Sequence, residues 1–171
     1  MVKTSSGLLM YRFKNNIFEL FLTHPGGPFW KNKDSWGIPK GEQDDINEDL
    51  FEVAKREFYE ETGIKPPEDK DSYTELGNIK QKSGKIVHAW AFLNNNPINF
   101  KCNSLVKLEY PSKSNNFIEF PEVDKGEFFN IEKSKNKMID FHQSQYELIE
   151  RLIKMLNIKI EAKVSQKTLN F

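Results

Sequence analysis

An α+β fold is predicted by three features of the chain: paired β-prone runs at its start, one sharply bounded helix near residue 55, and a second amphipathic helix after further strands. Elements in that order suit a mixed sheet covered by two helices. The 171 residues match one domain of about 150 residues, and no repeat or composition break divides them. A single domain over 1–158 is expected, with 159–171 as a C-terminal tail of weak periodicity that can fray.

Residues 7–13 (GLLMYRF) and 17–23 (IFELFLT) are β-prone runs joined by Lys14-Asn15-Asn16, the spacing and turn chemistry of a hairpin. His24-Pro25-Gly26-Gly27-Pro28 then predicts a loop, because the prolines lack donors and the glycines permit almost any backbone. No Gly or Pro occurs from Asn47 to Thr62, and Phe51, Ala54 and Phe58 recur at helical spacing. Asp44, Asp45 and Asn47 are candidate N-caps for this helix, and Gly63 followed by Pro66-Pro67 ends it. Residues 73–82 and 85–93 flank Ser83-Gly84 as a second hairpin, and 104–110 reads as a further strand. Polar, Asn-rich stretches at 94–96 and 112–116 are loops, and Ile131 to Asn136 suits a short helix. From Gln143 to Leu156, the residues Leu148, Ile149, Leu152, Ile153 and Leu156 form an amphipathic helical pattern.

Charge excludes some functions. Twenty-five Lys and Arg balance twenty-five Asp and Glu, so no overall field draws the chain to nucleic acid or an anionic membrane. An acidic ligand must be held by a local site. The single cysteine, Cys102, has no intrachain partner, and no Cys/His cluster has zinc spacing. That usage suits a reducing, cytoplasmic compartment. The first residues lack the apolar core of a signal peptide, and no run approaches about 18 apolar residues, so no membrane span is expected.

The chemistry concentrates on the central helix. Glu57, Glu60 and Glu61 stand at i, i+3 and i+4 and so share one face beside the apolar stripe. Three like charges there repel. Solvent with Lys55 and Arg56 is the plain compensation for an acidic helix face, and a hard divalent cation is the sharper one. Reading outwards gives Gly41, six residues, Glu48, seven residues, then Arg56-Glu57-Phe58-Tyr59-Glu60-Glu61-Thr62-Gly63-Ile64. This resembles the Nudix hydrolase signature, G-x5-E-x7-R-E-U-x-E-E-x-G-U with U apolar, at every defined position from Glu48 onwards. One extra residue between Gly41 and Glu48 lengthens the loop before the helix.

The resemblance implies a Nudix-type α/β/α sandwich with a mixed central sheet and a loop–helix–loop that binds Mg²⁺, for which Mn²⁺ can substitute. It implies hydrolysis of a nucleoside diphosphate linked to another moiety. Glu57, Glu60 and Glu61 would be the metal ligands, Arg56 would orient one of them, and Glu48 would organise the box. Gly41 would permit the close turn that brings the Lys40 carbonyl towards the metal. The physical logic is that bridging cations neutralise pyrophosphate charge and acidify the attacking water. A distal acid is also implied. Counting back from Phe128 favours Glu122, with Glu119 as runner-up and solvated loop charges as the plain reading of both.

The run Trp36-Gly37-Ile38-Pro39-Lys40-Gly41 is similar to the W-x-x-P-K-G of Nudix hydrolases of dinucleoside polyphosphates. Lys40, Trp36, Gly41 and His24 are therefore the expected substrate contacts. Lys40 would set a point charge against phosphate oxygens, and Trp30, Trp36 or Trp90 could stack a base, although tryptophan more often packs in a core. The stretch from HPGGPFW to SWGIPKGE also looks similar to a bacterial Nudix subgroup described as predicted NTP pyrophosphohydrolases. The resemblance thus implies a nucleotide polyphosphate partner. Besides the dinucleoside polyphosphate it leaves a house-cleaning NTP pyrophosphohydrolase and a non-catalytic nucleotide-binding module as alternatives, and it is compatible with a homodimer. RNA binding or decapping would want a basic groove, which the neutral net charge and the absence of a long basic run disfavour.

Overall fold

Asn15 and Asn16 both adopt left-handed backbone, at φ 52° and 61°, and close a two-residue turn between β1 (Thr4–Lys14) and β2 (Ile17–Pro25). That conformation matches the natural twist of a hairpin. The computed structural model describes residues 4–138 and 143–158. The expected tail at 159–171 lies outside the described residues.

Around β1 a mixed sheet forms. Its order is β4 (Tyr73–Lys80), β5 (Ile86–Leu93), β1, β2 and β8 (Val123–Asn130), and β3 (Lys40–Glu42) pairs with β1 off that path. The β1–β5 pairing is parallel and the others are antiparallel. β1 changes partner along its length: Ser5 to Gly7 pair with β3, and Tyr11 to Lys14 pair with β2. A separate two-stranded ribbon joins β6 (Leu105–Glu109) to β7 (Phe117–Pro121).

The helices α1 (Leu50–Thr62), α2 (Ile131–Lys137) and α3 (Tyr146–Met155) cover the two faces. Alternation along β1 decides which residue meets which layer. Leu8 and Met10 pack with Ala54 and Phe58 of α1, whereas Leu9 and Tyr11 join Leu148, Ile149 and Leu152 of α3. Phe58 is fully buried, and truncating such a ring to Ala costs about 3–5 kcal/mol. The expected α/β/α sandwich with a mixed sheet is the fold observed, and the short helix expected from Ile131 to Asn136 is α2.

Several boundaries differ from the sequence reading. α1 starts at Leu50, and its N-cap is Asp49, whose carboxylate accepts from the Phe51 and Glu52 amides. Asp44, Asp45 and Asn47 instead build the preceding turns, in which Asp45 accepts from the Asn47 amide at 2.7 Å. Gly63 ends the helix as expected, at φ 69° and with its N–H on the Tyr59 carbonyl. His24 and Pro25 belong to β2 rather than to a loop, with a register irregularity between them opposite β8. Proline is tolerated there because it is the strand's last residue, at a bulge. The WGIPKG run leads into β3, and the acidic segment before Phe128 is two strands meeting at Glu122.

Candidate active site

The rotation of α1 that buries Ala54 and Phe58 also turns Glu57 and Glu61 inward, because residues three and four apart share a side of the helix. Glu57 and Glu61 are buried, while the Glu60 side chain is 43% exposed. Opposite α1 stands β3, held against β1 by the Gly7–Lys40 and Ser6–Gly41 pairs. Gly41 presents no side chain where the Glu57 carboxyl lies: a Cβ there would fall 2.0 Å from the carboxyl carbon. Its backbone is not left-handed. Glycine is thus required for close approach to Glu57, which replaces the turn role expected for it.

Arg56 ties the entry loop to the helix. Its Nη1 donates to Glu57 Oε1 at 2.7 Å and to Glu60 Oε2 at 3.4 Å, its Nε to Glu48 Oε1 at 3.3 Å, and its Nη2 to the Glu42 carbonyl at 3.3 Å. Glu48 Oε2 accepts from the Asp44 amide at 3.0 Å. That amide and then Arg56 hold the Glu48 carboxyl below the usual range. The longer loop is therefore pinned at both ends by one Arg–Glu pair.

Lys40 donates its backbone N–H to Glu61 Oε2 at 3.1 Å. Burial pushes the Glu61 carboxyl well up, against the attraction of Lys40 and with the repulsion of Glu122 and Glu57. The Glu57 carboxyl is likewise raised by burial, against Arg56. Burial pushes the Lys40 ammonium down, opposed by Glu61, Glu122 and Glu57 and assisted by Lys85. One cation and three carboxylates thus share a poorly solvated space.

Glu122 occupies the single residue between β7 and β8. Its N–H donates to the Ser104 carbonyl at 3.0 Å, its carbonyl accepts from Gly26 N at 2.8 Å, and its carboxylate accepts from Ser104 Oγ at 2.7 Å. Glu119 lies exposed on β7 in register with Lys107. Lys40, Gly41, Arg56, Glu57, Glu60 and Glu122 line an open cavity of about 470 Å³. Ser5 and Lys85, neither of which stands out in the sequence, line it too. An adjoining hollow of about 140 Å³ has Glu61 in its wall and shares Lys40 and Glu122 with the first.

Two expected substrate contacts are corrected. Trp36 is 4% and His24 3% exposed, so neither offers a face to a ligand. The Trp36 ring packs edge-on against Phe129 and His24, and its Nε1 donates to Asp34. The His24 ring nitrogens contact Asp124 Oδ1 and the Lys33 carbonyl, each at 2.6 Å. Both residues brace the loop before β3. Trp90 likewise packs edge-on against Phe51, and the Trp30 ring lies under the Lys33 ammonium at 4.7 Å.

The donor set suits a hard divalent cation in kind: carboxylate oxygens, two of them desolvated, beside a cradle that a Cβ at residue 41 would fill. Among the described residues, no three Asp, Glu, His or Cys side chains are already gathered at ligating distance. Arg56 and the Lys40 amide hold Glu57, Glu60 and Glu61 instead. Among the described residues, no helix is long and apolar enough to cross a membrane.

Comparison with known proteins adds four findings. The family model described as NUDIX domain matches residues 3–152. A putative mRNA-decapping protein of Acanthamoeba polyphaga mimivirus is 26% identical over 143 residues, which cover 81% of this chain and 36% of that protein. The chain therefore spans about a third of that relative's length. Among solved structures, the Caenorhabditis elegans Ap4A hydrolase binary complex superposes with a TM-score of 0.63 and 21% identity, over 91% of this chain and 98% of that one. The NUDIX domain of Shewanella oneidensis NrtR complexed with ADP ribose gives 0.65 and 15%, over 91% and 89%. At these identities the two superpositions establish a shared fold.

Proposed function

The chain belongs to the Nudix family of phosphoanhydride hydrolases, and from that premise we propose that it is a divalent-cation-dependent pyrophosphohydrolase acting within the phosphate chain of a dinucleoside polyphosphate. The observation that carries this reading is one cavity in which the acids Glu57, Glu60 and Glu122 face the cations Lys40, Arg56 and Lys85. The acids suit a cation, and the positive side chains beside them suit the phosphates that the cation alone does not neutralise.

Glu57, Glu60 and Glu61, with the Lys40 carbonyl, would hold Mg²⁺, or Mn²⁺ in its place. When bound, the cation neutralises phosphate charge and acidifies water. The chain's own residues do the rest. Arg56 fixes the Glu57 carboxylate, and Glu48 in turn fixes Arg56. Glu122, anchored through Ser104 at the base of the β6–β7 ribbon, faces the helix acids and takes the proton of the attacking water. Lys40 offers a point charge to phosphate oxygens in a desolvated setting, where Coulomb energy is larger than in water. A cytoplasmic setting belongs to the same reading, in keeping with the lone Cys102.

A second reading is favoured by the mimivirus relative, named a putative mRNA-decapping protein. A 5′ cap is also two nucleosides bridged by a phosphate chain, with one nucleoside continuing into RNA. The chemistry at the cavity is common to both substrates. The experiment is a panel with Mg²⁺ of diadenosine tetraphosphate, capped RNA, ATP and ADP-ribose, in wild type and Lys40→Ala, with products identified by mass. Preference for diadenosine tetraphosphate, weakened in Lys40→Ala, supports the leading reading. Preference for capped RNA transfers it to the second, and preference for ATP or ADP-ribose overturns both.

A further inference from the structure

Ser5 lies in β1 with no solvent exposure, and its Oγ has no hydrogen-bond partner. An unsatisfied buried hydroxyl costs about 1–3 kcal/mol, so its position calls for an explanation. The next residue, Ser6, donates to the Leu50 carbonyl beside α1. The pleat turns Ser5 to the opposite face, where Glu42 stands directly across the β1–β3 ladder. Lys85 Nζ meets Glu42 Oε1 there at 2.6 Å. Ser5, Glu42, Lys85 and Lys40 all line the cavity that contains the helix acids. Ser5 therefore belongs to the wall of the cavity that Lys40 and Lys85 also line, and its buried hydroxyl has no hydrogen-bond partner among the described residues.

We propose that Ser5 Oγ is a substrate-positioning donor that hydrogen-bonds a non-bridging oxygen of the bound phosphate chain. The assignment rests on the phosphoanhydride reading and adds to it a specific contact. The chemistry is suited to a phosphate that is not being cleaved: a neutral hydroxyl donates to an anionic oxygen without adding charge beside Glu57 and Glu122. Lys85 can shift from Glu42 to the same phosphate, which opens the floor to the ligand. The phosphate thus satisfies a group that the free protein leaves unpaired, and binding energy is directed to the register of the chain along the cavity.

Ser35 provides an internal comparison. It is also buried with an unpartnered Oγ, yet it does not line the cavity. Ser5→Ala and Ser35→Ala each remove one unsatisfied hydroxyl at nearly constant volume, so each should melt no lower than wild type. Only Ser5→Ala should weaken binding of inorganic tripolyphosphate, measured by calorimetry with Mg²⁺ present, by about tenfold or more. Its KM for diadenosine tetraphosphate should rise by a similar factor, with kcat changed less. Tripolyphosphate affinity equal to wild type in Ser5→Ala overturns the inference, as does an equal loss in both variants. If Ser5→Ala melts well below wild type, Ser5→Cys, which keeps volume and supplies only a weak donor, must show the same loss of affinity for the inference to stand. Wild-type protein that binds no tripolyphosphate and cleaves no substrate of the panel overturns both this inference and the reading beneath it, whereas binding retained in wild type and in Ser5→Ala overturns this inference alone.

Discussion

Gly41 and Glu57 compete for one volume: the side chain that any other residue would place at position 41 is where the Glu57 carboxyl stands, with both its oxygens within 2.5 Å of that point. Gly41→Ala should leave the fold intact, since residue 41 lies on a short edge strand, and should displace Glu57 from Arg56. The expected loss in kcat is about 10²-fold, in line with the sensitivity of catalysis to small misplacements. Unchanged far-ultraviolet circular dichroism with that loss is the predicted result, and a variant with wild-type kcat would show that the position of Glu57 is immaterial.

Glu60→Gln and Glu61→Gln each remove charge at constant volume. Either should lower kcat by about 10²-fold or more, equivalent to about 3 kcal/mol of transition-state stabilisation. Activity should also vanish in EDTA and return with Mg²⁺. Full turnover in EDTA, or in both variants, would exclude metal-assisted chemistry at this face.

Glu122 and Glu119 separate the two candidates for the distal acid. Glu122 lines both hollows, and Glu119 is exposed on β7. Glu122→Gln should slow turnover at saturating substrate more than it raises KM, and Glu119→Gln should change neither by more than about twofold. A reversed outcome in steady-state kinetics would assign the role to Glu119.

Asp34 gives an expected pH dependence of stability. Its carboxyl is held below the usual range by hydrogen bonds from Lys137 and then Trp36, and Lys137 Nζ lies 2.6 Å from both oxygens. A carboxyl depressed in the folded state adds stability above its unfolded value, near 3.9, and that stability fades as pH falls through the lower folded value. Asp34 is 69% exposed, so solvent screening keeps the effect to roughly 0.5 kcal/mol. Asp34→Asn should lower the Tm by about 2 °C at pH 7, and the gap should narrow as the pH of the melts falls below the unfolded value.

What the sequence makes legible is local. α1 is readable because Phe51 and Phe58, the Gly63 stop and the signature acids all lie within one stretch. β3 is not readable, since Pro39, Lys40 and Gly41 have poor strand propensity; it forms because Ser5 to Gly7 of β1 offer a free edge. β7 carries an apolar alternation at Ile118 and Phe120 that was available as a signal, although the acids around it read as a loop. The burial of Trp36 and His24 depends on β8 and α2 closing over them, which no local pattern reveals. Ser5 and Lys85 are invisible for a related reason: eighty residues separate them in the chain, and only the parallel β1–β5 pairing brings their elements together.

That same parallel pairing bears on how quickly the protein reaches its working form. The Tyr11–Lys14 half of β1 zips with β2 across a two-residue turn, a contact that forms on the microsecond scale. The Thr4–Leu8 stretch must wait for β5 to arrive from the far side of α1 and β4, a closure with a large entropic barrier. The cavity floor is therefore expected to be among the last parts to form, and on refolding, recovery of far-ultraviolet circular dichroism should run ahead of recovery of catalysis.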